Sequence, residues 1–248
     1  MARAVVTPGT IDYPDSDGLP MAENDFQRKT MTYAIKALDA HFRDRPDVYV
    51  SGNLLLYYEE GNNKVRVAPD VFVVFGTAKH DRSSYLLWQE GKAPDFVMEI
   101  ASPSTYRTDQ GAKSDLYAGM GVSECWLYDP TGDYLKPPLQ GFQLVEGRYE
   151  PLPATQRADG AQAARSEVLG LELRLDPDTP VREALRFYNP VNGEPLRSLR
   201  EAEARLRHAQ DRLQESEAAR KALEAEVRAL RRGRRGPGQE PDDLGHGR

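Results

Sequence analysis

The segment of residues 94–130, PDFVMEIASPSTYRTDQGAKSDLYAGMGVSECWLYDP, constrains the fold more than any other part of the chain. Residues 96–101 are apolar at both alternating positions except for Glu99, which predicts a central strand covered on both faces. The helix predicted after it carries Lys113 on the same face as Leu116, Tyr117 and Met120. Because charges are rarely buried alone, this glutamate and this lysine each need a partner inside the fold.

Composition limits what these charges can mean. With 248 residues, 39% of them hydrophobic, the chain suits one core plus an appendage. The N-terminus lacks the apolar region of a signal peptide, and no stretch approaches the roughly 18 apolar residues of a membrane span, so a cytoplasmic protein without membrane contact is expected. Cys125 is the only cysteine and the four histidines are scattered, so any metal is expected to be held by oxygen.

The chain before this segment divides into an arm, a helix and two strands. Residues 1–20 are rich in turn-forming residues and are predicted to form an irregular N-terminal arm. Apolar residues at helical spacing over residues 21–42 predict an amphipathic helix. Strands are expected at 48–58 and 65–75, the second interrupted at Pro69 because proline cannot donate to a sheet.

After the central segment, short antiparallel strands are expected up to residue 175. Residues 156–166, QRADGAQAARS, are predicted to be a flexible linker, and residues 180–189 a short helix. The globular domain is therefore expected to span residues 21–190.

A heptad pattern follows over residues 191–232. Its first core position falls at Leu199, Leu206, Leu213, Arg220 and Val227. The second falls at Ala202, Ala209, Ser216, Leu223 and Leu230. This pattern favours a coiled-coil arm and a homodimer through residues 199–230, with a lone charged helix or a helix folded back onto the domain as alternatives. Residues 233–248 are Gly-rich and charged, and are predicted to be a disordered tail.

The charge distribution argues against strong non-specific binding to nucleic acid. The chain carries a net charge of −6, but residues 197–248 hold 13 Lys and Arg against 10 Asp and Glu, which leaves −9 on the remainder. Such an acidic domain lacks the long-range attraction of a typical DNA-binding protein, although clustered basic residues or divalent cations can offset this locally.

Two carboxylates in apolar strand contexts, Asp70 and Glu99, suggest a chemistry when they are combined with Lys113. Neighbouring strands could present both acids as oxygen ligands for Mg²⁺, and Mn²⁺ would suit the same ligands. A nearby lysine could orient or deprotonate water and stabilise charge on a phosphoryl group. This combination of residues predicts metal-assisted phosphodiester hydrolysis. The order helix, three strands, helix, strand fits the same arrangement.

The strings APDVFVVF, PDFVMEIASPST and DQGAKSDLYAGMGVSECWLYDP resemble the Uma-type (Uma2) family of bacterial restriction endonucleases in the PD-(D/E)xK nuclease superfamily. The resemblance implies an α/β restriction-endonuclease-like core with a β extension and a C-terminal coiled-coil helix. It also implies that Asp70 and Glu99 bind the metal, that the lysine role moves to Lys113, and that Glu23 completes the metal site. Gln27 departs from the pattern, since relatives carry histidine at that position.

Structural interpretations compete with these roles. Asp109 lies four residues before Lys113, so this pair could be a simple helix salt bridge. Glu23 in the first turn of a helix would be favoured by the helix dipole alone. The combined prediction is a Mg²⁺-dependent endonuclease acting on DNA. The alternatives are a degenerate nucleic-acid-binding protein, a toxin-like or regulatory protein that recruits a partner through its coiled coil, and another acid-dependent hydrolase that uses Asp70 and Glu99.

Overall fold

The computed structural model describes residues 11–16, 24–103 and 105–233. The chain divides into two compact units, residues 1–199 and residues 200–248. The described helices are α1 (Asp25–His41), α2 (Leu87–Glu90), α3 (Tyr106–Gln110), α4 (Ala112–Met120) and α5 (Leu199–Gly233). Within the described ranges, none of these helices combines the length and the apolar character needed to cross a membrane.

The described strands form three sheets. In chain order they are β1 (Val48–Ser51), β2 (Leu56–Tyr57), β3 (Arg66–Val67), β4 (Val71–Phe75), β5 (Tyr85–Leu86), β6 (Phe96–Ile100), β7 (Glu124–Tyr128), β8 (Leu139–Val145), β9 (Arg148–Pro151), β10 (Ala154–Gln156), β11 (Gln162–Ser166), β12 (Leu171–Leu175) and β13 (Leu185–Tyr188). The main sheet has the order β1-β4-β6-β7-β8-β9, the second β10-β11-β12-β13, and the third β3-β2-β5.

The main sheet confirms the predicted α/β fold class. Its core order is α1, β1, β4, β6, then α3 with α4, then β7, which is the predicted helix, three strands, helix and strand. Strands β6 and β7 are parallel neighbours at its centre, and every residue of both strands is buried. This is the burial that the two-sided apolar pattern of residues 96–101 predicts.

The main sheet is covered on both faces. Because successive side chains of a strand alternate, Phe96, Met98 and Ile100 face a core shared with α1 and the second sheet. Val97 lies on the opposite face, in a core shared with α4 and the third sheet. Glu99 follows Val97 by two residues and therefore shares this second face.

Helix α1 begins at a capping box. The Asn24 side chain accepts a hydrogen bond from the Gln27 backbone N–H, and the Gln27 side chain accepts one from the Asn24 backbone N–H. The helix therefore begins after Glu23, and not at residue 21 as the apolar spacing predicts. Glu23 itself lies outside the described residues, as do residues 1–10, 17–22, 104 and 234–248, which include most of the predicted arm and tail.

The predicted strand 48–58 is wrong in extent. The structure divides it into β1 and β2, which belong to different sheets. Residues 52–55 separate them, and within this segment Asn53 has a left-handed φ of 52° that ends the extended conformation.

Two further predictions fail because long-range pairing overrides local composition. The predicted linker 156–166 contains β11, which pairs with β12 and buries the small side chains Ala163 and Ala164. The predicted helix 180–189 is a 3-10 turn at Val181–Glu183 followed by β13, whose Leu185 and Phe187 alternate into the core. Polar or short segments give weak local signals, and tertiary contacts decide their structure.

Candidate functional site

Asp70 immediately precedes β4 and lies beside the end of β6, the strand that carries Glu99. The antiparallel pairing of β4 with β6 ends with Val71 opposite Met98. The register ends there, and Asp70 is the residue immediately before β4, close enough to Glu99 for its negative charge to raise the pKa of that carboxyl. The Asp70 Oδ2 atom accepts a hydrogen bond from the Ile100 backbone N–H at 2.7 Å, which holds the Asp70 carboxylate against the end of β6.

The loop after β1 fixes the backbone at Asp70. A Cβ atom at Gly52 would lie 2.1 Å from the Asp70 carbonyl oxygen and 2.7 Å from Ile35 Cδ1, so only glycine allows this close approach. The next residue, Asn53, donates its backbone N–H to the Pro69 carbonyl oxygen at 2.8 Å. These contacts with the loop after β1 therefore fix the backbone conformation at Pro69 and position Asp70 beside the end of β6.

Two side chains of α4 donate hydrogen bonds to the Glu99 carboxylate. The Lys113 Nζ atom donates to Glu99 Oε2 at 2.9 Å, and the Tyr117 hydroxyl donates to Oε1 through a short hydrogen bond. Lys113 and Tyr117 are four residues apart and share one helix face, which is why both reach the same carboxylate. Glu99 is 1% exposed.

Two more segments reach this site. The Asp109 carboxylate, from α3, is 2% exposed, and its Oδ1 atom lies 2.9 Å from Lys113 Nζ. The same ammonium therefore bridges Asp109 and Glu99. Neither Asp109 oxygen has a hydrogen-bond partner of good geometry among the described residues. From α1, the Gln27 side chain donates to the Ile100 carbonyl oxygen at 3.1 Å.

The electrostatics of the cluster follow from three carboxyl groups near one ammonium. Burial, together with the negative charge of Asp70, raises the pKa of Glu99 to about 8, although the charge of Lys113 acts in the opposite direction. Burial alone would lower the pKa of Lys113, but Glu99 and Asp109 outweigh it and raise the pKa above its ordinary value. Lys113 is therefore charged at neutral pH, and its ion pair with Glu99 is the main contact that favours the ionised form of this buried carboxyl group.

The carboxylates fit a hard divalent cation. Across residues 11–16, 24–103 and 105–233, no group of three or more His, Cys, Asp or Glu side chains is arranged to hold a metal ion. Mg²⁺, however, is commonly held by one or two carboxylates, with waters and substrate phosphate at the other positions. The buried Asp109 oxygens, which have no hydrogen-bond donor of good geometry among the described residues, are compatible with a cation in addition to Lys113.

The structure brings together the three predicted residues: Asp70 just before β4, Glu99 in β6 and Lys113 in α4. Sequence reasoning missed Asp109 as a member of this cluster, because it considered this residue only as a salt-bridge partner on the helix. The i, i+4 spacing from Lys113 was the available signal, since a buried lysine face implies that its helical neighbour is buried too. Tyr117 is part of the core, as its apolar context predicts, and it also donates to Glu99.

A family model described as "Putative restriction endonuclease" and named Uma2 matches residues 18–176. The chain belongs to the Uma2 family. The matched residues contain all four members of the cluster, Asp70, Glu99, Asp109 and Lys113. The Uma2 match therefore includes the whole candidate site but not α5.

Other comparisons add little to the Uma2 assignment. A crystal structure described as a "putative nuclease belonging to DUF820" from Anabaena variabilis ATCC 29413 is 13% identical, and the match covers 60% of this chain and 76% of the other. Its TM-score of 0.43 is too low to support an argument about the fold or the site. No curated protein matches the chain.

Proposed function

We propose that this Uma2 protein is a metal-dependent endonuclease that hydrolyses phosphodiester bonds in DNA through a metal-activated water. One observation carries the proposal: the Lys113 ammonium contacts the Glu99 carboxylate, and the Asp70 carboxylate accepts a hydrogen bond from the next residue of β6, Ile100. Three segments that are distant in sequence thereby supply two acids and a cation. Membership of a family described as restriction endonucleases supports the same activity.

Asp70 and Glu99 would hold Mg²⁺, and Mn²⁺ would suit the same oxygen ligands. When bound, the metal ion would supply Lewis acidity toward the phosphate and a lower pKa for water. Lys113 stabilises the negative charge that develops on the phosphoryl oxygens. Because Glu99 and Asp109 raise its pKa, Lys113 does not act as a general base at neutral pH, and its role is electrostatic.

The test measures cleavage of supercoiled plasmid DNA with Mg²⁺ by the wild type and by Asp70→Asn and Glu99→Gln. Both variants should lose cleavage while remaining folded by circular dichroism. Glu150→Gln is the matched control, because Glu150 is an exposed acid on the edge strand β9. Metal-dependent cleavage that persists in both site variants would contradict the assignment of these residues.

Nucleic-acid binding without cleavage is the second candidate function. One contact pattern favours it: both Glu99 oxygens already accept hydrogen bonds, from Lys113 and Tyr117. A site closed in this way would bind Mg²⁺ weakly. Isothermal titration with Mg²⁺ separates the two functions, since an endonuclease should bind the ion in a manner that Asp70→Asn abolishes.

We also propose that α5 pairs with α5 of a second copy. Its leucines recur at heptad positions, and Leu199, Leu206 and Leu213 are each 60% exposed. Apolar side chains at this spacing are stabilised when they are buried in a coiled-coil seam. Deleting residues 200–248 should lower the mass measured by light scattering, while an unchanged mass would exclude pairing through α5. We place the protein in the cytoplasm, where its DNA substrate would be.

A further inference from the structure

We propose that Tyr106, Tyr134 and Arg107, here called the tyrosine platform, stack an unpaired DNA base beside the acid cluster. The substrate class would then be DNA that is single-stranded, or locally unpaired, at the point of cleavage. This inference rests on the proposed function for its substrate, but its first test is a binding measurement that does not require cleavage.

The platform consists of two stacked rings and a cation. The Tyr106 and Tyr134 rings are 4.8 Å apart between centroids and are inclined by 27°. Both tyrosines are partly exposed. Arg107 is exposed, its guanidinium lies 5.4 Å from the Tyr106 ring centroid, and its Nε atom donates to the Tyr106 hydroxyl at 2.8 Å. An aromatic surface beside an arginine is the combination that binds single-stranded nucleic acid in many proteins.

The platform lies on the sheet face that carries Glu99. Tyr106 packs against a small buried cluster formed by Ala101, Leu127 and Leu135. Leu127 is paired with Glu99 in the parallel register of β6 and β7. Ala101 follows Glu99 by two residues and so falls on the same face. Tyr106 also precedes Asp109 by three residues in α3, about one helical turn.

Asp129 holds the loop that carries Tyr134. The Asp129 carboxylate is buried and accepts four hydrogen bonds, two from the Thr131 backbone N–H and hydroxyl, and two from the backbone N–H groups of Tyr134 and Leu135. The backbone at Tyr134 is therefore fixed before any ligand binds. A fixed aromatic surface loses less conformational entropy on binding than a mobile one.

The charge of the protein explains why a local platform would be needed. The part of the chain before α5 is acidic and does not attract DNA over long distances. Affinity must then come from contacts close to the site. Arg107 directly follows Tyr106, and Lys136, whose ammonium donates to the Gly132 carbonyl oxygen, follows Tyr134 by two residues. Both residues are exposed and offer phosphate contacts beside the stacked rings. The faces of duplex bases are covered by their neighbours, whereas an unpaired base can stack on a tyrosine.

The decisive experiment measures binding of a fluorescent oligothymidylate and of a hairpin duplex by anisotropy. It uses the Asp70→Asn protein, which the proposed function predicts cannot cleave. The single strand should bind more tightly than the duplex. Tyr134→Ala should weaken single-strand binding about tenfold, in the range for loss of one stacked base, while Tyr134→Phe should leave it unchanged. Tyr134→Leu, which keeps an apolar cover over Tyr106 without an aromatic ring, should also weaken binding and guards against misfolding of the alanine variant.

Salt dependence separates the roles of the tyrosine and the arginine. Arg107→Gln should reduce the slope of log affinity against log salt by about 0.7, which corresponds to one phosphate contact on a single strand. Tyr134→Ala should leave that slope unchanged, because stacking releases no counterion. Arg148→Gln is the matched control, since Arg148 is an exposed arginine on β9, and it should change neither quantity.

Several outcomes would overturn the platform. These are equal binding by Tyr134→Leu and its parent, tighter binding of the duplex, or tighter binding of oligouridylate than of oligothymidylate. Failure of the proposed function looks different. If the wild type cleaves no DNA with Mg²⁺ but the single-strand preference and its dependence on Tyr134 persist, the platform stands and the endonuclease does not.

Discussion

Two buried glutamates on adjacent parallel strands have opposite surroundings. Glu99 on β6 is 1% exposed and Glu124 on β7 is 0% exposed. Among the described residues, the oxygens of Glu124 accept hydrogen bonds from neutral groups alone: the Trp126 Nε1–H at 2.9 Å, the Ser166 hydroxyl at 2.6 Å and the Val168 backbone N–H at 3.0 Å. A buried carboxylate can thus be a structural device that joins the main sheet to the second sheet.

Glu99 is surrounded by charge instead. Asp70, Asp109 and Lys113 all influence its pKa, and Lys113 is shared with Asp109. The difference shows that burial of an acid does not by itself mark a functional site. Crowding of like charges around it is the stronger sign, because such an arrangement costs stability and favours a bound cation.

The largest expected effect is on catalysis at Lys113. Lys113→Met keeps the aliphatic stem and removes the charge, so Mg²⁺-dependent cleavage per folded molecule should fall about 10²-fold. Single-turnover cleavage, corrected for the folded fraction from thermal unfolding, measures this change. Lys92→Met is the control, because Lys92 also pairs with an aspartate, Asp95, at 3.0 Å. Undiminished cleavage by the Lys113 variant would show that the charged surroundings of Glu99 do not make it a functional residue in contrast to Glu124.

Glu124→Gln should show the reverse pattern. In the glutamine side chain an NH2 group replaces one carboxylate oxygen. This group cannot accept the hydrogen bond that the oxygen accepted, so one buried donor loses its partner and the free energy of unfolding should fall by about 2 to 3 kcal/mol. Cleavage per folded molecule should stay unchanged. Urea denaturation measures the first quantity and the plasmid assay the second. A loss of cleavage that exceeds the loss of folded protein would place Glu124 in the active site.

Gly52→Ala tests whether the acid cluster depends on the placement of Asp70. The added Cβ would meet the Asp70 carbonyl oxygen, so unfolding free energy should fall by about 2 kcal/mol and cleavage should fall with the displaced carboxylate. Gly119→Ala is the control, since nothing lies within 4 Å of a Cβ at this exposed helical position. Full cleavage by the Gly52 variant would show that the turn at Asp70 serves stability alone.

The smallest effect concerns Asp129, which resembles Glu124 in its neutral donors. Burial acts to raise the pKa of Asp129, but hydrogen bonds from Tyr134, Leu135 and Thr131 outweigh it and lower the pKa. The stabilisation from ionised Asp129 is therefore present above the ordinary aspartate pKa, about 3.9, and is lost as pH falls through the lower folded value. Asp129→Asn should cost about 1 kcal/mol at neutral pH and flatten the acid limb of the stability curve. Equal acid limbs in wild type and variant would refute this account.

The sequence by itself determined the central frame of the protein. The two-sided apolar run of residues 96–101, the break at Pro69 and the helical spacing after Lys113 are local patterns. They were enough to predict the order of the core elements, and they singled out Asp70, Glu99 and Lys113, whose roles in the site stay predictions. The predicted element order is confirmed because the burial of a strand or of a helix face depends on residues that are two to four positions apart.

The tertiary structure alone decided the remaining features. Glu124 meets Ser166 and Val168 from more than 40 residues away, Tyr106 meets Tyr134 through a loop held by Asp129, and β11 is a strand because β12 pairs with it. No periodic pattern predicts such contacts. Their partners are chosen by how the sheets stack and not by neighbouring residues, so the surroundings that separate a structural carboxylate from a functional one appear only in the folded chain.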